Sequence, residues 1–119
     1  MTDELTTADT FFARYASALL ARDEAAVAAM FAVPVLHLTP GASNVAATTD
    51  QVEAFFASSW GAYEGIDAFD KEIAIMGAAP GSIWADVTWI YKGQAQERMC
   101  YQLVSRDDGW KIAVLTPMA

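Results

Sequence analysis

Apolar positions recur every three or four residues in the first half of the chain and every second residue in the last third. Phe12, Tyr15, Ala16 and Leu19 fall on one face of a helix, with Phe11, Ala18 and Arg22 at its side. Thr7 or Asp9 offers the oxygen that caps the free N–H groups where this helix starts. A second helix opens at Asp23, turns Val27, Met30 and Phe31 inward, and draws helix propensity from Ala25, Ala26, Ala28 and Ala29. Pro34 closes it, because the residue before a proline avoids helical angles. Val52, Phe55, Phe56, Ser59, Trp60 and Tyr63 lie at i, i+3, i+4, i+7, i+8 and i+11, the clearest helical stripe in the chain. Asp50 with Glu53 caps its start, and Gly65 its end.

Between the second and third helices, Val35–Leu38 is predicted as a short strand, turned at Thr39-Pro40-Gly41, with a second short strand at 45–48. Past Gly65 the pattern is β throughout. Strands are predicted over 67–76, 83–92, 97–106 and 110–116, with turns at Ala79-Pro80-Gly81-Ser82, at Gly93 and at Asp107-Asp108-Gly109. This order predicts an α+β domain. A strongly curved, mixed or antiparallel sheet carries the three helices of the N-terminal half on its concave side, and an apolar hollow lies between.

In strand 83–92, Ile83, Ala85, Val87, Trp89 and Tyr91 alternate with Trp84, Asp86, Thr88 and Ile90. A sheet with one wet face alternates cleanly. Large apolar groups on both sides therefore predict a cover on the convex face as well, supplied by a second copy in a homodimer.

Length, 119 residues, fits one domain spanning 1–119. Apolar residues make up 55%, more than a soluble domain usually carries, yet no run reaches the ~18 residues of a transmembrane helix. The surplus needs a pocket or an interface. Net charge is −8, and the seven Lys and Arg are scattered, which argues against nucleic acid and anionic membranes as partners. The opening Met-Thr-Asp-Glu-Leu lacks the basic start of a signal peptide, so a cytoplasmic location is expected. One cysteine, Cys100, and one histidine, His37, leave no intrachain disulfide and argue against a Cys-rich or His-based metal site. No phosphate loop or nucleophile elbow is present, and neither cofactor nor metal is expected.

Several segments carry a family likeness. Arg14-Tyr15-Ala16-Ser17-Ala18-Leu19-Leu20-Ala21-Arg22-Asp23, then Met30-Phe31-Ala32 and Pro40-Gly41, are followed by Tyr91-Lys92-Gly93 and Gly109-Trp110-Lys111-Ile112. From about Thr7 to Met118 the chain resembles the NTF2-like superfamily, the cone-shaped α+β fold that includes ketosteroid isomerases, scytalone dehydratases and SnoaL-type polyketide cyclases. The resemblance implies the cone fold and a ligand pocket; it does not imply one activity. Ketosteroid isomerases use a helix-one tyrosine and a protonated aspartate as an oxyanion hole, and a second aspartate to move the proton. Tyr15 matches the tyrosine. The proton-moving aspartate falls on Thr39, and the other near Tyr101 or Gln102. With two of three groups missing, that activity is not expected.

In the cone register, Ile83, Ala85, Val87, Trp89 and Tyr91, with Ile112, Val114 and Thr116 of the last strand, face the pocket. The helices add Phe12, Tyr15, Phe56 and Trp60. The expected ligand-binding set is Phe12, Phe56, Trp60, Val87, Trp89, Gln102 and Thr116, suited to a small hydrophobic or aromatic molecule. Buried Tyr and Trp need partners for their polar tips. His37, on the same side of its strand as Thr39, is the candidate general base, and Tyr15 the candidate donor to an oxyanion. Three functions remain open: a binding protein; a small lyase, isomerase or cyclase using His37 and Tyr15; and a dimeric interaction module whose core is filled.

Overall fold

The computed structural model describes residues 3–118. In chain order the elements are α1 (Glu4–Leu20), α2 (Glu24–Ala28), β1 (Phe31–Thr39), β2 (Ala42–Ala46), α3 (Thr49–Ala57), a single 3-10 turn (Trp60–Tyr63), β3 (Asp70–Ala79), β4 (Ser82–Tyr91), β5 (Gln94–Arg106) and β6 (Gly109–Pro117). The strands form one open sheet in the order β2-β1-β6-β5-β4-β3. All neighbours are antiparallel except β1 and β6. Hence the sheet is mixed, and the expected α+β layering holds, with the helices against its inner face.

Phe12, Val27, Val87, Leu103 and Ile112 are fully buried and join α1, α2 and three strands into one core. Asp3 caps α1, accepting from the Thr6 N–H at 3.1 Å and from the Thr6 hydroxyl at 2.7 Å. The helix thus begins before the predicted Thr7 or Asp9. At its other end Arg22 turns the chain at φ 53°. Its guanidinium donates to the carbonyls of Leu19, Leu20, Tyr63 and Ile66. That fan of bonds ties the end of α1 to the segment after α3.

Three local expectations change. First, α2 stops at Ala28 and the strand starts at Phe31, so Pro34 lies inside β1 and does not end the helix. It is tolerated there because the ladder to β6 is irregular between Phe31 and Leu36, and the ladder to β2 begins only at Val35. Second, the third helical stripe breaks after Ala57 and resumes as the 3-10 turn. The Ser58 and Ser59 hydroxyls bond back to the Phe55 carbonyl at 3.0 and 2.6 Å, a local alternative to the helical ladder. The cap of α3 is Thr48, which accepts from the Gln51 N–H at 3.2 Å, while Gln51 Oε1 accepts from the Ala47 N–H at 2.6 Å. Asp50 and Glu53 do not form that cap.

Third, β5 pairs Gln102 with Val114 and Leu103 with Ile112, so Ala113 is an extra residue in β6. A bulge of this kind reverses the inside–outside sense beyond it. Ile112 points inward as expected, but Val114 and Thr116 pair with Gln102 and Cys100 on the outer face, and Leu115 takes the inner position beside Tyr101.

Candidate functional site

Aromatic rings fill most of the predicted hollow. Phe12 packs 4.7 Å from Tyr101 and 6.1 Å from Trp89, and Phe31 bridges Tyr15 at 6.0 Å and Phe56 at 5.8 Å. Two recesses remain on either side of this packing.

The narrow recess, about 170 Å³, is bounded by Tyr15, Leu19, Ala62, Tyr63, Ile66, Phe69, Trp89, Tyr91, Glu97 and Tyr101. Alternation along β4 turns Trp89 and Tyr91 inward. β5 sets Tyr101 opposite Ala85 and Glu97 opposite Trp89. The far wall comes from the 3-10 turn and the segment after it, held by the Arg22 guanidinium. Gly65 allows that segment to turn at φ +80°, and Phe69 then folds over Trp89 and Tyr91, with ring centroids 5.6 and 5.4 Å apart.

Its polar groups are few. The Trp89 indole N–H donates to the Tyr101 hydroxyl at 2.9 Å, buried. Because Tyr101 accepts there, its own proton is left to donate. The Tyr15 hydroxyl forms no hydrogen bond with a described residue. Among the described residues no buried side-chain polar atom lacks a partner, so this hydroxyl must reach the open space of the recess. Burial is the main reason that Tyr15 ionises only well above the usual tyrosine range, and nearby Tyr101, Tyr63 and Glu97 push the same way. Burial likewise raises Tyr101, with the Trp89 hydrogen bond pulling partly back. Tyr63 and Tyr91 are raised by burial and then by the Glu97 charge. The recess therefore presents phenol donors together with the Glu97 side chain.

The wide recess, about 580 Å³, is an open groove between α3 and the β1–β2 hairpin. His37 lines it with Val35, Phe31, Phe56, Leu115 and Asn44, and exposed Phe55 and Val45 form its rim. Leu115 lies between His37 and Tyr101 across the sheet, which separates the latter two by two strand spacings, about 10 Å.

The residues singled out from the sequence are thus divided. Tyr15 and Trp89 line the narrow recess; His37 and Phe56 line the wide one. Phe12 and Val87 are fully buried packing. Trp60 borders neither: its indole N–H donates to Glu24 Oε1 at 2.8 Å, and its ring packs on Phe56 and Tyr63. Gln102 and Thr116 lie on the outer face, on either side of Cys100 and Val114. Burial raises the Cys100 thiol, whose Sγ sits 3.7 Å from Met76 Sδ.

Glu97, Phe69 and Tyr63 were not foreseen in the site. Counting back from the Lys92-Gly93 turn, Gln96 would oppose Trp89. The ladder skips a residue between the pairs Ile90–Ala95 and Trp89–Glu97, so Glu97 comes inward instead. Tyr63 was visible only as a helix-stripe residue. A larger open groove, about 1030 Å³, runs along another side of α1 past Arg14, Ser17, Trp110 and Lys111, and holds none of the expected site residues. Among the described residues no group of three His, Cys, Asp or Glu side chains could hold a metal ion. No helix there is long and apolar enough to cross a membrane.

Comparison with known proteins agrees with this architecture. No curated protein matches the sequence. A protein of unknown function of the DUF3225 family from Pectobacterium atrosepticum superposes with TM-score 0.72 at 19% identity, over 100% of this chain and 94% of the other. A ketosteroid isomerase-like protein from Erwinia carotovora atroseptica gives TM-score 0.67 at 16% identity, over 100% and 99%. A domain of unknown function with a cystatin-like fold from Nostoc punctiforme gives 0.68 at 16%, over 99% and 78%. At such identities the likeness shows a shared fold and nothing about activity. The family model of NTF2-like proteins named DUF6841 matches residues 3–119, and with nearly the whole sequence inside that match, the chain belongs to this NTF2-like family.

Proposed function

We propose that the protein binds a small hydrophobic or aromatic molecule in the narrow recess between α1, the 3-10 turn and strands β4 and β5. The observation that carries this reading is the Tyr15 hydroxyl, which opens on the recess without a protein partner beside the paired Trp89 and Tyr101. A ligand oxygen placed there would accept the hydroxyl proton and fix the ligand's orientation. Size narrows the class. A dry cavity of about 150 Å³ accepts one benzene ring, and about 170 Å³ is available here, so the occupant is of one-ring size. His37, on the far side of Phe31, takes no part in this reading.

The outer face supports assembly as a homodimer. Gly77, Trp84, Gln102, Val114, Leu36 and Val45 form a row across all six strands. Ile90 and Met76 add apolar surface beside it, Met76 being 57% exposed. The charges near the centre cancel, because Asp86 and Arg98 are paired. On a chain of net charge −8, such a neutral patch is where a second copy is least repelled. The residues described, together with the acidic balance, fit a cytoplasmic protein.

The ligand reading is tested with p-cresol as probe, followed by the indole N–H resonance of Trp89. Saturable shifts of that resonance are expected. They should vanish in Ala62→Phe, whose ring fills the recess from a solvent-facing position. A Trp89 resonance unmoved by saturating p-cresol would refute the reading.

A further inference from the structure

We propose that the narrow recess is an aromatic box for a small amino alcohol, with the ligand's ammonium group held by ring faces and Glu97 and its hydroxyl held by the tyrosines. This rests on the reading of the recess as a ligand site and specifies the ligand's charge.

The first support is the arrangement of rings. Phe69 stands edge-on to Trp89, Tyr91 and Tyr63, with centroids at 5.6, 5.4 and 6.3 Å. All four line the recess. The face of an aromatic ring carries the negative part of its quadrupole and attracts a cation placed over it. Tyr63 already takes a cation in this way: the Arg22 guanidinium carbon lies 5.7 Å from its ring centroid.

Glu97 is the second support. Its carboxylate borders the recess opposite Trp89 and forms no ion pair among the described residues. Its charge reaches all four tyrosines, raising each of them. Two basic groups lie nearby. Arg22 is occupied by the carbonyls of Tyr63 and Ile66, and Lys92 sits in the hairpin turn beside Gly65. An anionic ligand would be repelled by Glu97, and a purely apolar one would leave that carboxylate unused.

The same recess supplies hydrogen-bond donors. Tyr15 and Tyr101, with ring centroids 6.3 Å apart, present neutral phenols to an oxygen acceptor. The required ligand carries an ammonium at one end and a hydroxyl a few atoms away, within about 170 Å³. The acidic surface of the chain concentrates cations near the entrance.

The test compares choline with its uncharged carbon isostere, 3,3-dimethylbutan-1-ol, by titration of the full chain at low salt. Choline should bind about tenfold more tightly, the size of a partly desolvated cation–π and carboxylate contact. Glu97→Gln, at an exposed position, should remove most of that preference. Equal binding of the two probes, or a preference untouched by Glu97→Gln, overturns the proposal. If neither probe binds while p-cresol still shifts Trp89, the ammonium assignment fails and the pocket stands. If p-cresol also leaves Trp89 unmoved, both fail.

Discussion

Tyr15 and Tyr101 owe their chemistry to position. Both rings are buried, so the phenolate form is disfavoured and their ionisation is displaced upward from the ordinary value. The sign follows from proton linkage. An unfolded chain releases tyrosine protons near pH ~10, whereas the folded chain still holds them. Stability is therefore complete below that pH and falls as pH rises beyond it. An alkaline titration of tyrosinate absorbance should show Tyr15 and Tyr101, of the four tyrosines present, ionising only together with unfolding. Smooth titration of all four in a folded protein would contradict their burial. The Trp89–Tyr101 bond belongs to the same scale: a buried donor and acceptor satisfy each other, which frees the Tyr101 proton for the recess.

Caps and bulges decide the elements. The helix signal in Val52, Phe55 and Phe56 was readable from spacing alone, but the cap of α3 was not, since side-chain type and spacing pointed to Asp50 with Glu53. The structure selects Thr48, with Gln51 answering at Ala47. Thr48→Ala should therefore cost about 1 kcal/mol in urea unfolding, and Asp50→Ala no more than about half of that. The reverse ranking would mean that the cap is misassigned. Strand facing was legible along β4, where simple alternation holds from Ile83 to Tyr91. It was lost in β6 beyond Ala113 and in β5 near Gln96, because one inserted residue inverts every later side chain and leaves no mark in composition. Thr116 and Gln102 moved out of the expected site for this reason, and Glu97 moved in.

At the level of the whole molecule, the helices cover one face of the sheet and leave the other half-buried and largely apolar, with Trp84 and Ile90 opposite the core. The proposed homodimer covers that face. Sedimentation equilibrium should then report twice the chain mass, and Trp84→Glu should give the monomer mass without loss of helical signal. A wild-type monomer at high concentration would remove the dimer. The interior also departs from the hollow cone. Phe12, Phe31 and Phe56 occupy its centre, so Tyr15 and His37 open on separate recesses, and a shared proton relay finds no support in the geometry.

The sequence alone determined the α+β class, the order of elements, the inward stripe of α1 and the family, because periodicity and turn chemistry are local and survive without tertiary contacts. Only the tertiary structure decided which rings close the hollow, that Trp60 spends its indole N–H on Glu24, and that Glu97 meets Trp89. Those outcomes depend on register and on packing between segments far apart in the chain. A single bulge or a rotated ring resets both, and neither has a local signature.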